Sequence, residues 1–541
     1  MKRRKILGAA IGSDVHVAGL LNFLRLAESE GYESVYLGGA VSIDRLVEKM
    51  EKTRPDVVAI SYRLGSEALE KLLEELKSRL QRLSFRPSFI FGGTVETAAV
   101  ARKSGLFEKV FDGTEEIEDV VMYLRGSSRR AEGEIPPQTL PERVEYKKPY
   151  PLIRHHIGLP SLEETEKEIS LLAESELLDI ISLAPDQNCQ QYFFEPEKMD
   201  HKQDGAGGAP IRSVEDFKRL YSASRKGNYP LMRCYAGTNH LVEFSKLLKE
   251  TLNNAWAAIP IFWYSDLDRR SERDLLSAIK ENMEAIRWNA ENGVPVEVND
   301  SHQWELRYAH DAVGVATAFI AAYVAKKLGV RWYVQQYMLN TPPALSPKMD
   351  IAKALAKKEL VESLADENFT PYHMIRTGLL SMPADEDAGK GQLVSSMFYG
   401  SYLNPHIIHV VAYCEAFRRA TSKEIIESVK MVKRAYLQAL KGLPDFMADS
   451  DVRARVEQLK EEAMLIVETI RSIDSSSNSD PLLQPEVLYE AVKRGILDAP
   501  GLKSFSVARG KVRTMSVNGA VYAVYDEGHP FPEKERLVKL L

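Results

Sequence analysis

The first 125 residues alternate short β-branched runs with amphipathic stretches, and this alternation limits the possible fold more than any other feature of the chain. "RKILGAAIG", "ESVYLGG", "DVVAIS", "PSFIFGG" and "LFEKVFDG" read as strands, each followed by a segment with helical periodicity such as "VAGLLNFLRLAESEG" or "SEALEKLLEELKSRL". Five such units predict a parallel sheet covered by helices on both faces. In the strand order 2-1-3-4-5, the carboxyl ends of strands 1, 3 and 4 share one crevice at the topological switch point. Three unusual loops fall there: "SDVHVAG" after strand 1, "SYRLG" after strand 3 and "GGT" (Gly92, Gly93, Thr94) after strand 4. Gly19 at the helix start and the Gly92–Gly93 pair leave room for a large flat ligand to approach the backbone.

In the first loop, His16 is suited to bind a metal through a neutral imidazole nitrogen. Asp14, two residues upstream, can accept the other ring N–H, which fixes the tautomer and raises ligand basicity. The alternative is a capped helix with a surface histidine. With its Asp-x-His-x-x-Gly loop, this region resembles the cobalamin-binding domain of the base-off/His-on enzymes. That resemblance makes His16 the lower cobalt ligand and Asp14 its carboxylate partner. Gly19, Gly92, Gly93 and Thr94 would then line the cofactor site, with Ser61 meeting the nucleotide tail. Arg63 stands where the family's Ser-x-Leu loop has leucine.

From about Gly126 the pattern dissolves into "SSRRAEGEIPPQTLPERVEYKKPYPLIRHH", whose prolines and mixed charges read as a semi-extended linker over 127–160. Beyond residue 160 the alternation resumes in longer units. "LLDIISLAP", "YPLMRCYAG", "AAIPIFWYS", "VPVEVND", "WYVQQYML", "YHMIRTGLL" and "IIHVVAYCE" read as seven buried strands, with a weaker eighth near "EVLYEAVKRGILDAP". The expected fold is α/β throughout: a flavodoxin-like (Rossmann-like) cobalamin-binding domain over 1–126, then a (β/α)8 TIM barrel with a carboxyl-terminal extension over 161–541.

"DAVGVATAFIAAYVAKKLGV", "YMLNTPPALSPKMDIAKALA", "GLLSMPADEDAGKGQLVSSMFYG" and the tail from Ala491 are similar to the catalytic subunit of the glutamate mutase family. The two resemblances together imply an adenosylcobalamin-dependent radical isomerase acting on a small polar acid or amino acid, expected as a homodimer. A corrinoid-dependent methyltransferase and a non-catalytic corrinoid carrier or sensor are the rival readings. Four barrel residues are candidates for substrate contact: Asp186 in "APDQNCQQ", Arg233 in "LMRCYAG", His302 in "NDSHQWE" and Lys390 in "DEDAGKG". Each has a plain structural alternative: a helix cap, a salt bridge, a core histidine and a solvated lysine. With no arginine after the first strand of this assignment and no carboxylate in "WAAIPIFWYS", the sequence predicts a substrate other than glutamate. His406 and His409 in "PHIIH" do not read as a metal pair, and "GAGG" at 205–208 lacks the strand–helix context of a nucleotide loop.

A net charge of −6 gives no reason to expect a nucleic-acid partner, and no apolar run reaches the length of a membrane span. Three scattered cysteines and an amino terminus without export character lead to an expected cytoplasmic location.

Overall fold

The computed structural model describes residues 4–115, 117–124, 135–235, 237–474, 479–503 and 507–540, in two compact units, 1–134 and 135–541. In the first unit, β1 (Lys5–Ile11), β2 (Glu33–Val41), β3 (Val57–Tyr62), β4 (Ser88–Gly93) and β5 (Lys109–Phe111) form a parallel sheet, as the alternation predicts, and its order is the flavodoxin-like 2-1-3-4-5. Successive side chains on β1 and β3 serve opposite faces. Leu7, Ala9, Ile11, Val58 and Ile60 pack with the helices on one side, and Ile6, Val57 and Ala59 with Leu20, Leu24 and Leu124 on the other. Burial on both faces is why these strands read as unbroken apolar runs.

The second unit contains eight parallel strands: β6 (Leu152–Ile157), β7 (Ile180–Leu183), β8 (Leu231–Cys234), β9 (Ala257–Ala258), β10 (Val296–Glu297), β11 (Trp332–Leu339), β12 (Thr370–Thr377) and β13 (Ile407–His409). They pair in the circular order 8-7-6-13-12-11-10-9. The ends of that series meet where the Ala255 N–H donates to Met232 O at 2.9 Å, so the sheet is a nearly closed (β/α)8 barrel.

The structure departs from the sequence expectation in two places. Residues 127–134 of the expected linker lie outside the described residues. The rest of it is not linker: it carries a helix, Leu140–Lys147, and the first barrel strand, β6. The segment near "EVLYEAVKRGILDAP" is not a strand but a helix, Pro485–Lys493, beyond the barrel. Both errors have one cause. "LIRHHI" has charged and polar residues where a strand buried in an apolar core has aliphatic ones, yet Arg154 and His155 are as buried as Leu152.

An apolar layer of Leu140, Val144, Leu152, Val334, Met374 and Ile407 closes the amino-terminal end of the barrel. The carboxyl-terminal extension adds the hairpin of β14 (Thr514–Val517) and β15 (Ala520–Ala523) and the long helix Ser450–Arg471. Both are tied to the barrel through Asp311, whose Oδ2 accepts from the Val521 N–H at 2.9 Å and from Arg455 Nη2 at 3.0 Å. Among the described residues no helix is long and apolar enough to cross a membrane.

Because β6 pairs with both β7 and β13, its removal would leave two unpartnered edges inside the barrel. A chain begun at Ile135 is expected to unfold cooperatively, whereas one begun at Ser161 is expected not to fold. Circular dichroism and thermal melts of the two truncations check this.

Candidate functional site

At the rim of the first sheet, Asp14 is fully buried and receives three N–H groups. Oδ1 accepts from the His16 backbone at 2.9 Å and lies 2.8 Å from His16 Nδ1; Oδ2 accepts from the Arg63 backbone at 2.7 Å. An ionised carboxylate only accepts, so His16 carries its hydrogen on Nδ1 and keeps the Nε2 lone pair on the outer edge of a largely exposed ring. The loop after β1 is held from the other side by the Ala40 N–H, which donates to Asp14 O at 2.8 Å. Arg63 contributes a main-chain N–H and leaves its side chain exposed, so the loop fixes Asp14 whatever side chain stands at that position.

The glycines divide into two kinds. A Cβ on Gly19 or Gly92 would meet nothing within 4 Å, so both border open space. A Cβ on Gly93 would lie 2.4 Å from Thr97 Oγ1 and 2.7 Å from Tyr62 O. Gly93 is therefore required by packing within the domain, not by ligand approach. Thr94 caps the following helix in a reciprocal pair with Thr97, and Ser61 is buried at the end of β3. Three exposed aliphatic side chains stand at these loops: Val15 in the first, Leu64 in the second, and Val95 at the start of the helix after the third. A lone imidazole lone pair, open glycines and aliphatic rims fit a large, partly apolar ligand that brings its own equatorial donors to a metal. Among the described residues no group of three or more His, Cys, Asp or Glu could hold a metal by itself.

The barrel mouth holds a cavity of about 630 Å³ that every strand, or the loop just after it, helps to line. Strand register explains its composition. Arg376 on β12 pairs with His409 on β13, and His409 pairs with Arg154 on β6; one step up, His156 pairs with Ser182 on β7, and Ser182 with Arg233 on β8. Arg154 Nε donates to Ser182 Oγ at 2.7 Å, and its two terminal nitrogens reach His409 Nδ1 at 3.2 Å and His156 Nε2 at 2.8 Å. Arg154 and Arg233 share the face of Trp256, at 5.1 and 5.2 Å from the ring centre. Arg233 Nη2 is 3.5 Å from Glu297 Oε2, which also accepts from Trp256 Nε1 at 2.8 Å. Arg233 is buried, yet its Nε and Nη1 meet no acceptor among the described residues, and neither does Arg376 Nε. Among the described residues, four guanidiniums, of Arg154, Arg233, Arg270 and Arg376, line the cavity against the single carboxylate of Glu297. Buried donors without acceptors and a surplus of positive charge suit an anionic ligand.

The imidazoles beside these arginines stay neutral. Burial, reinforced by the neighbouring guanidiniums, pushes His156, His302 and His409 well below the ordinary histidine range. An amide nitrogen faces each edge of the His302 ring: Gln336 Nε2 lies 3.0 Å from Nδ1 and Gln303 Nε2 3.4 Å from Nε2.

Of the four barrel residues singled out in the sequence, Arg233 and His302 line the cavity. Asp186 does not line it: its carboxylate caps the helix Gln187–Tyr192, accepts from the Gly205 N–H and pairs with Arg212. Lys390 lies outside as well, ion-paired with Glu386 at 3.2 Å and resting on the Tyr413 ring. The Gly205–Gly208 loop is packed against Pro160, Ala184 and Pro185. Arg154, His156, Glu297, Arg376 and His409 were missed by the sequence reading. For the first two the signal was present: the alternation Leu152, Arg154, His156 places a charged and a polar side chain on one face of a strand.

Residues 4–121 match the B12 binding domain family, so a B12-binding domain is present. A novel cobalamin-binding protein from Desulfitobacterium hafniense DCB-2 is 26% identical over 23% of this chain and 59% of its own length, with a TM-score of 0.20. This chain therefore spans under two thirds of that relative. A 2,3-dimethylmalate lyase of the PEP mutase/isocitrate lyase superfamily is 12% identical, covering 60% of this chain and 96% of its own (TM-score 0.27). A cobalamin-dependent S-adenosylmethionine radical enzyme, OxsB, is 12% identical, covering 91% and 71% (TM-score 0.19). No curated protein matches the sequence.

Two outcomes are expected from this geometry. His16→Ala should leave the fold intact and abolish the histidine-ligated absorption spectrum of added hydroxocobalamin. Asp14→Asn should weaken cobalamin binding about 10–100-fold by releasing the tautomer. Titrations followed by absorbance measure both. Separately, His156, His302, His373, His406 (to about 4) and His409 are all pushed down by burial. Below about pH 6.5 the unfolded chain binds protons that the folded chain does not, so stability must fall with acidification. Burial raises Asp300 to about 7 and Asp350 to about 6, and these act in the opposite sense, but they are outnumbered. The urea midpoint should therefore drop steadily from pH 7 to pH 5.

Proposed function

We propose that this chain is an adenosylcobalamin-dependent radical isomerase of the carbon-skeleton mutase kind, acting on a small carboxylic or amino acid. The supporting observation is the pairing, in one polypeptide, of a B12-binding domain with a barrel whose mouth gathers buried guanidinium donors that lack acceptors. His16, oriented by Asp14, would bind the cobalt through Nε2, and Gly19 and Gly92 would leave the corrin and its tail room. Adenosylcobalamin, when bound, supplies hydrogen-atom abstraction by homolysis of its cobalt–carbon bond.

The chain's own residues bind, orient and shelter. Arg154, Arg233 and Arg376 offer planar forks of N–H donors that fix a carboxylate in one orientation. The shared Trp256 face holds two of the forks in place. Neutral His156, His302 and His409 add N–H donors and acceptors without contributing a proton that a carboxylate could take up. Glu297, the one carboxylate among the described lining residues, gives a cationic substituent such as an ammonium group a counter-charge.

The sequence-based grounds for setting glutamate aside were a missing arginine on the first strand and a missing carboxylate. The first depended on the misplaced first strand; the second was sought on β9, and the carboxylate of the cavity stands one strand later, on β10. Arg154 on β6 and Glu297 on β10 supply both groups, so amino dicarboxylates return to the candidate substrates.

The test is to mix the full-length protein anaerobically with adenosylcobalamin and a panel of small dicarboxylates and amino acids. An electron paramagnetic resonance signal of cobalt coupled to an organic radical is expected with the substrate. Silence across the panel together with methyl transfer from methylcobalamin would instead establish the methyltransferase reading. Silence with neither activity would leave a corrinoid carrier or sensor.

A further inference from the structure

The contacts of Arg154 contain a surplus hydrogen. A guanidinium has five N–H groups and accepts nothing. Nε meets Ser182, Nη1 meets His409 Nδ1 and, at 3.3 Å, Met374 Sδ, and Nη2 meets His156 Nε2. His409 Nε2 in turn lies 3.0 Å from His156 Nδ1. Both nitrogens facing Arg154 must therefore present lone pairs. Each neutral imidazole then carries its hydrogen on the other nitrogen, and those two hydrogens point at one another. The ring of Arg154, His409 and His156 holds four hydrogens for three contacts. Protonating either imidazole would enlarge the surplus, and burial among guanidiniums opposes it.

An acceptor arriving in the cavity can relieve the conflict at whichever imidazole it reaches, and that is His156, which is half-buried where His409 is 1% exposed. Arg154 Nη1 keeps donating to His409 Nδ1, and His409 Nε2–H donates to His156 Nδ1. His156 then carries its hydrogen on Nε2 and, with Arg154 Nη2, turns it to the ligand. His156 is half-buried, lines the cavity and is held in plane by stacking on Tyr235, with ring centres 5.2 Å apart.

We propose that Arg154, His409 and His156 form a one-way donor relay that selects a carboxylate at one end of the cavity ligand and rejects the amide of the same shape. An amide offers one accepting oxygen and turns an NH2 group towards donors that cannot reverse. The proposal rests on the reading of the cavity as a small-acid site and is independent of the cobalt chemistry.

Calorimetric titration of the full-length protein without cofactor, using glutarate and its diamide glutaramide as probes, tests it. Glutarate is expected to bind at least tenfold more tightly than glutaramide. His409→Phe removes the donor that fixes the His156 tautomer, so the preference should shrink to within about threefold. His409→Gln accepts from Arg154 through its oxygen and donates to His156 through its nitrogen, and should keep the preference. Nitrogen-15 spectra of the histidine-labelled, glutarate-bound wild type should show His156 and His409 both neutral with hydrogen on Nε2, which tests the relay even where a variant fails to fold. Equal binding of the two probes overturns the relay, as does either imidazole appearing as the Nδ1–H form or as imidazolium. Failure of the wild type to bind glutarate overturns both the relay and the small-acid reading. An intact preference without the radical signal would overturn the cobalt reading alone.

Discussion

A guanidinium cannot give up its proton at any pH a folded protein tolerates, and β6 places one in the middle of a barrel. Arg154 is 1% exposed, and its partners among the described residues are a hydroxyl, a thioether, two imidazoles and an indole face. None of them carries a negative charge. Two residues earlier on the same strand, Leu152 fills the equivalent inward space with methyl groups in the apolar layer below. A barrel shaped for stability alone would continue that layering upward, since replacing buried charge by packed hydrocarbon is commonly neutral or stabilising. The change from Leu152 to Arg154 to His156 marks where the packed floor ends and a site begins. Strand register then brings Arg376 on β12 level with Arg154 and Arg233 on β8 level with His156, each two strands away from β6, so the deficit of acceptors is collective.

The first unit solves the reverse problem. Asp14 is a buried carboxylate whose charge is met by two backbone N–H groups and one imidazole N–H. Because these donors come from a neighbouring residue and from the loop after β3, closing the sheet edge also sets the tautomer of His16. What remains unsatisfied is one lone pair facing outward. One unit is thus preorganised as a donor of electrons to a metal, the other as a donor of hydrogen bonds to an anion. In both, one buried ion dictates which nitrogen of a histidine carries hydrogen.

Legibility of the sequence followed the same division. The five βα units could be read because a doubly covered parallel sheet is written in aliphatic runs, and the flavodoxin-like order then brings the three loops together. The barrel was read as a barrel for the same reason, except at β6. There the pattern that identifies a strand was replaced by the residues that make the site, so a search for apolar strands passed over "LIRHHI" and took the helix Pro485–Lys493 as a substitute. Shifting the count by one removed Arg154 from view and, with it, the argument about substrate. Asp186 and Lys390 misled for a different cause: a loop position after a strand does not say whether a side chain turns to the cavity or to its own helix. Asp186 turned to its helix cap and Arg212, and Lys390 to Glu386. Gly93 could be seen as a required glycine, but only coordinates show that Thr97 and Tyr62 fill its space.

The carboxyl-terminal extension has a place in this scheme through a fully buried ion network. Glu305 ends the short helix Ser301–Glu305 that carries His302 and Gln303 into the cavity lining. Its carboxylate pairs with Lys357 and, at 3.2 Å, with Lys353. Lys353 also faces Asp311 at 3.8 Å, and Asp311 is the group that ties down Arg455 and the Val521 N–H of the terminal hairpin. A five-residue helix has too few internal hydrogen bonds to hold a fixed orientation by itself. Anchoring its last residue to two buried lysines fixes the ring of His302 against Gln336. Charge buried this deeply brings little net stability, so its contribution is positional. The extension reaches the site through ions, from outside the barrel wall, and sets where one of the neutral imidazoles can stand.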